Sequence, residues 1–304
     1  MPDARTMGDT VGENGWTHGE AIVNGVRLHY VEAGAGPLVV LLHGFPEFWY
    51  GWRHQIRPLA AAGYHVIAPD MRGYNRSEKP PGVRAYVAET LVDDVVALIA
   101  HFGAVRATVV GHDWGGVVAW ETAMRRPDVV DKLIVLNAPH PGAFLRELRT
   151  PAQLARSWYA FAFQIPALPE LLVALGDYRS LRAVFTHDPA RPGAFTADDI
   201  ARYRDALAAP GARTATINYY RAAMRRNPLR AAVEADRVVT APTLLIWGMG
   251  DRYLGPALTA RLERWVPHLR VERLADASHW VQHDAPERVT ALMRDFLRER
   301  ETSP

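Results

Sequence analysis

The chain has no cysteine among its 304 residues. Disulfides and thiolate metal sites are therefore excluded, and a reducing, cytoplasmic setting is the expected one. No apolar run reaches the roughly 18 residues that a membrane span needs. Residues 1–16 are polar and glycine-rich, without the apolar core of a signal peptide. Neither sign of charge dominates: 35 Lys+Arg stand against 33 Asp+Glu, for a net charge of +2. The arginines are scattered, and the tightest pair in the middle of the chain, Arg225-Arg226, has no long basic run around it. That pattern describes a solvated surface rather than a nucleic-acid footprint.

What is present fits a soluble globular protein. Hydrophobic residues make up 49% and charged residues 22%, and the length suits one large domain or a domain with an insertion. Residues 1–15 read as a flexible arm. Asn24-Gly25 between two apolar stretches is a hairpin signal. Residues 37–42 form an apolar run suited to a strand covered on both faces. A helix is expected from there through Trp52 and Leu59, a short strand at residues 65–69, and a helix carrying Leu91, Val95, Leu98, Ile99 and Phe102. Strands and helices alternate as far as Pro139, the pattern of a mostly parallel sheet flanked by helices.

From residue 140 to 238 strand signals vanish and helix signals take over. Thr196 and Asp199 have the spacing of a capping box, and Ile217, Tyr220 and Met224 share one helix face. The sheet pattern returns at residues 243–247, with a helix expected at 257–265, a strand at 270–274 and a last helix opened by Pro286. The expected organisation is a core in two parts, residues 1–139 and 239–304, with a helical lid at 140–238 inserted between them.

The centre of the pattern is residues 107–120. A β-branched strand runs into Gly111-His112-Asp113-Trp114-Gly115 and on into a helix stopped by Pro127. This has the form of the strand–turn–helix elbow that carries a nucleophile, with Asp in place of Ser. Gly111 and Gly115 supply the small residues that a sharp turn needs. At a helix N-terminus the dipole and free N–H groups favour a negative charge, and a carboxylate attacks a saturated carbon without a base to activate it. The plainer alternative is that Asp113 caps the helix.

Asp113, Asp251 and His279 each follow an inferred strand, where ligands bind in open parallel sheets. Their order is nucleophile, acid, histidine. His279 is suited to take a proton from water, with Asp251 orienting its ring. Taken singly, a structural histidine and a turn-forming aspartate are ordinary. The His43-Gly44-Phe45-Pro46 turn offers the backbone N–H of Phe45, which with that of Trp114 makes two donors for an oxyanion.

His43-Gly44-Phe45-Pro46-Glu47, Gly111-His112-Asp113-Trp114-Gly115-Gly116, Asp251 and His279 together resemble the soluble epoxide hydrolases of the α/β-hydrolase fold, over nearly the whole chain from Gly19. The resemblance implies a nucleophilic Asp that opens an epoxide, two lid tyrosines that donate to its oxygen, and a His-activated water that cleaves the ester. Ile217-Asn218-Tyr219-Tyr220-Arg221 resembles the second tyrosine motif and selects Tyr220. The stretch from Trp158 to Gln164 is similar to the first, through its tyrosine and Phe163-Gln164, and selects Tyr159. Either tyrosine could instead fill the lid core. The expected activity needs no cofactor and no metal; the partners are a small epoxide and water, and the chain is expected as a monomer or homodimer. Phe45, Trp114, Phe161 and Met224 are the expected substrate contacts.

Two other functions share these residues. A haloalkane or haloacid dehalogenase would use the same Asp, with Trp114 and a second donor such as Trp158 holding the halide. Phe45 stands where haloalkane dehalogenases often have Asn, and Trp114 where fluoroacetate dehalogenases have Arg. A non-catalytic binding protein on the same scaffold would have no use for a water-activating histidine.

Overall fold

Residues 38–42, LVVLL, are buried along their whole length, as a strand covered on both faces must be. They lie inside one sheet in the computed structural model, which describes residues 15–299; the arm expected at residues 1–15 lies, save for Gly15, outside the described residues. The strands are Thr17–Val23 (β1), Val26–Ala33 (β2), Leu38–Leu42 (β3), His65–Pro69 (β4), Ala107–His112 (β5), Val130–Leu136 (β6), Thr243–Gly248 (β7) and Leu269–Leu274 (β8). Their spatial order is β1-β2-β4-β3-β5-β6-β7-β8. Pairings from β4 to β8 are parallel; β2 runs antiparallel to both β1 and β4. The β1–β2 turn is the expected Asn24-Gly25, both residues at positive φ (47° and 74°) as a tight hairpin demands.

Alternate strand residues go to opposite faces, so the sheet has two cores. Val40, Leu42, Val109 and Val135 pack with residues of helices Ala88–His101 (α2) and Trp114–Arg125 (α3), among them Leu91, Val95 and Trp120. The other face carries Val39, Leu41, Val110 and Ile134. It packs with Ile56 and Leu59 of Ile56–Ala61 (α1) and with Met293 and Phe296 of the last helix. This is the α/β-hydrolase architecture.

Between β6 and β7 the chain is helical throughout: Pro141–Glu147 (α4), Pro151–Arg156 (α5), Trp158–Ala162 (α6), Leu168–His187 (α7), Ala197–Ala208 (α8), Ala212–Met224 (α9) and Pro228–Glu234 (α10). Val281–Asp284 (α11) and Pro286–Arg298 (α12) close the fold. The Thr196 capping box forms in full: the Thr196 hydroxyl accepts from the Asp199 N–H, and the Asp199 carboxylate accepts from the Thr196 N–H. α7 is broken at Leu175–Tyr178, where Gly176, Asp177 and Tyr178 all have positive φ.

Two expected helices are corrected. The helix through Trp52 and Leu59 is a 3₁₀ turn, Trp49–Trp52, followed by the separate α1. The Trp49 N–H is taken by the Asp70 carboxylate at 3.1 Å, and Gly51 lies against the Glu47 carboxylate, so the chain follows those buried acids instead of helical bonding. The helix at 257–265 shrinks to a 3₁₀ turn, Pro256–Thr259, after which Ala260 is extended and Arg261 has φ +56°. Arginines satisfy the carbonyls that a helix would have used. Arg146 donates to Ala257, Ala260 and Arg261, and Arg273 to Thr259.

Candidate active site

The end of β5 turns into α3 at Asp113, whose φ of 49° and ψ of −119° are strained for a residue with a side chain. Close packing holds the strain in place. A Cβ on Gly111 would lie 2.2 Å from the Gly115 carbonyl oxygen, and one on Gly115 2.1 Å from that of Leu42. Neither contact is tolerable, so the elbow requires glycine at both positions. The Asp113 side chain makes no capping bond to α3. Its Oδ1 instead accepts from the Phe45 N–H at 2.8 Å, across from the turn that ends β3. The capping alternative therefore fails on geometry. Gly44 makes the approach possible, since a Cβ there would meet the Asp113 Cβ at 2.5 Å. The Trp114 N–H begins α3 and has no intrahelical acceptor, so it is available as a second donor.

Behind the carboxylate stand the other two members of the set. The Nδ1 of His279 is 2.7 Å from the Asp251 Oδ2, and its Nε2 is 3.7 Å from the Asp113 Oδ2. Asp251 is buried at the end of β7 and fully engaged: Asn137 donates to Oδ2 at 2.7 Å, and the N–H groups of Tyr253 and Leu254 donate to Oδ1. Burial alone would raise the Asp251 pKa, but the His279 charge and these bonds outweigh it and lower it. Burial likewise pushes His279 down, yet the charges of Asp251 and Asp113 win and push it up to about 9.

Helices α6 and α9 bring aromatic rings next to this trio. Tyr220 on α9 is buried, with Trp114, Phe45 and Phe163 ring centroids 4.9, 5.5 and 4.9 Å away. Tyr159 on α6 lies 5.8 Å from Tyr220 and 5.6 Å from Tyr253. Both phenol pKa values are raised, first by burial and then by the Asp113 charge. Neighbouring Tyr219 points elsewhere: its hydroxyl donates to the Arg72 carbonyl at 2.7 Å. Of the tyrosine pair at 219–220, only Tyr220 feels the Asp113 charge.

Phe161 and Met224 stand apart from this cluster. Both are exposed, at 42% and 41%. The ring packed between Phe45, Tyr159 and Tyr220 is that of Phe163, two residues on. Trp158 is 68% exposed. Among the described residues no group of three or more His, Cys, Asp or Glu side chains is arranged to hold a metal ion.

Known proteins fit this geometry. A model of the α/β-hydrolase fold family matches residues 37–286. The mouse protein epoxide hydrolase 4 is 39% identical over 91% of this chain and 77% of its own length. An epoxide hydrolase of Bacillus megaterium, crystallised with an inhibitor, superposes with a TM-score of 0.83 at 36% identity, covering 92% of this chain and all of that one. The chain belongs to the epoxide hydrolases of the α/β-hydrolase fold. A Bacillus subtilis protein described only as the AB hydrolase superfamily protein YfhM is 46% identical, over 90% of this chain and 96% of its own length.

The structure of this α/β-hydrolase adds residues that its sequence alone did not single out for a role. Glu47, fully buried, accepts from His112 at 2.9 Å, His283 at 2.8 Å and Gln282 at 3.3 Å. These partners drive its pKa far below the usual carboxylate range in spite of burial. The His112 Nε2 then meets the His279 carbonyl at 2.9 Å. A chain of contacts thus runs from Glu47 to the backbone of His279. Tyr253 packs its ring 5.3 Å from His279 and hydrogen-bonds Asp188 at the end of α7. The elbow string contains His112 and the turn string contains Glu47, but nothing in their spacing pairs them.

Proposed function

We propose that this chain hydrolyses epoxides to vicinal diols through an ester on Asp113. The observation that carries the mechanism is the division of the Asp113 carboxylate, with Oδ1 held by the Phe45 N–H and Oδ2 facing His279. Oδ2 attacks an epoxide carbon, and the C–O bond of the ring breaks. The departing oxygen is an alkoxide, a base far stronger than a phenolate. It takes a proton from Tyr159 or Tyr220 even though both phenols hold theirs tightly. Protonated His279 makes good that proton, directly or through solvent, and is left neutral.

The ester then changes the electrostatics. Asp113 is no longer charged, and one of the carboxylates that raise His279 is gone. Neutral His279 becomes a fitting base for water, which attacks Cγ of the ester. Oδ1 carries the tetrahedral oxyanion, met by the N–H groups of Phe45 and Trp114. Collapse expels the diol oxygen, which takes its proton from His279. The acid re-formed on Asp113 returns a proton to His279, and the resting state is restored. No cofactor or metal enters any step.

Residues 140–238 act as the lid in this proposal, and an apolar epoxide is the substrate that an enclosure of Phe45, Trp114 and Phe163 favours. A cytoplasmic site of action goes with it, since nothing in the fold depends on a disulfide. Dehalogenation is disfavoured by the position of Trp158, which is 68% exposed and offers no second N–H donor to a halide at Asp113. The test compares diol release from a styrene-type epoxide with halide release from a bromoalkane, in the parent and in Tyr159→Phe and Tyr220→Phe. Epoxide turnover that falls in both variants supports the proposal. Undiminished epoxide turnover in both, with halide release by the parent, overturns it.

A further inference from the structure

The outer surface of the lid is unusually apolar. Leu154 on α5, Trp158 and Phe161 on α6 and Ile165 in the turn that follows are all exposed, Trp158 to 68%. Leu168, Leu171, Leu172 and Leu175 form a second such stripe on the first half of α7, with Leu171 and Leu175 each at 63%. The two stripes join through the short turn at 163–167. Buried Arg221 pins this turn from within, donating to the carbonyls of Phe163 and Ile165. Scattered exposed leucines need no explanation, but an apolar surface on the order of several hundred Å² marks an interaction site.

Charge is missing from the same surface. Residues 151–176 contain only Arg156 and Glu170 as charged side chains, and both turn inward. Arg156 donates to the Asp251 carbonyl at 2.8 Å, and Glu170 pairs with Arg221 at 2.6 Å. Two exposed arginines flank the stripes, Arg149 before them and Arg179 after. Neither makes an ion pair among the described residues, whereas the acids nearest them, Glu147 and Asp177, are already paired with Arg146 and Arg182.

We propose that this face of the lid docks on the surface of an anionic phospholipid bilayer. The leucines and Trp158 enter the headgroup–acyl boundary, and Arg149 and Arg179 meet the phosphates. Helix α6 makes the docking useful: its outer side carries Trp158 and Phe161, and Tyr159 and Phe163 line the enclosure over Asp113. An apolar epoxide dissolved in the lipid is then one helix away from the nucleophile. That benefit rests on the proposed hydrolase activity; the docking itself does not.

The test is flotation of the full chain with vesicles of phosphatidylcholine plus phosphatidylglycerol, read by protein content, so that it is independent of turnover. The parent is expected to float with these vesicles and less with phosphatidylcholine alone. Leu171→Glu/Leu172→Glu is expected to bind about tenfold or more weakly, and Arg149→Gln/Arg179→Gln about tenfold more weakly on the anionic vesicles. Far-UV circular dichroism and the parent's rate on a water-soluble epoxide establish that the variants are folded. No flotation of the parent overturns the proposal. So does equal flotation of parent and leucine variant. A dimer dissolved by Leu171→Glu/Leu172→Glu, with no lipid binding, overturns it in favour of a second copy of the chain.

Discussion

The Nε2 of His279 stands 3.7 Å from the Oδ2 of Asp113. That is beyond a hydrogen bond but well within ion-pair range. In the proposed mechanism the two residues are charge partners before the ester forms, and base and electrophile once it has. Removing one must therefore change the other.

Substituting Asp113 by Asn keeps the shape and removes the charge, as the ester does. Diol release is expected to fall by about 10⁴-fold or more. In the same variant the His279 titration, followed by NMR, is expected to move down from its raised position of about 9, because Asp113 is one of the charges that raise it. An unchanged titration would contradict the proposed switch.

His279→Gln is expected to slow the attack by Asp113, which loses the proton that replenishes the phenols, and to block the second step far more severely. An alkylated protein, heavier by the mass of one epoxide, should accumulate and be visible by mass spectrometry. Its breakdown should be slower by about 10⁴-fold. Asp251→Asn should behave likewise, since the Asp251 Oδ2 is what orients the ring.

Tyr159→Phe and Tyr220→Phe should each slow formation of the ester by about 10²-fold, read as the fast phase of tryptophan fluorescence, with little effect on its breakdown. The double variant should lose the phase altogether.

The pH dependence has a definite sign. His279 rises from 6.5 to about 9 on folding. Its contribution to stability is complete below 6.5 and is lost as pH rises through 9. Urea midpoints should therefore fall between pH 7 and pH 10 more for the parent than for His279→Gln. For the reaction, kcat/KM reports the free enzyme and should decline above about pH 9, where the histidine no longer holds the proton that replenishes the phenols.

Glu47→Gln removes the charge from a fully buried hub that binds two histidines. Hydrogen bonds to a charged group contribute about 1.5–3 kcal/mol each, and urea unfolding should show a loss of that order.

The elements legible in the sequence are those with a local cause. LVVLL at 38–42 is too apolar to be anything but buried, and Asn24-Gly25 dictates a hairpin. The elbow glycines announce a turn that cannot carry side chains. Asp113, Asp251 and His279 lie together because strand ends in a parallel sheet converge, so order along the chain becomes position in space. What escaped was set by distant partners. The 257–265 segment has a helical apolar pattern, yet Arg146, more than a hundred residues earlier, takes its carbonyls. The Glu47–His112–His283 cluster draws on three separate segments. Phe161 and Phe163 are equivalent as letters; only the placement of α6 sends one outward and the other toward Tyr220.

The central claim is that Asp113 itself bonds to carbon. A single turnover in heavy-oxygen water, with enzyme in excess over epoxide, tests it most directly. The first diol should contain no label from the solvent, and the peptide containing Asp113 should gain one heavy oxygen, because water attacks Cγ and the original Oδ2 leaves with the product. Label in that first diol, with none in the Asp113 peptide, would mean that water attacked the epoxide directly and would contradict the covalent route.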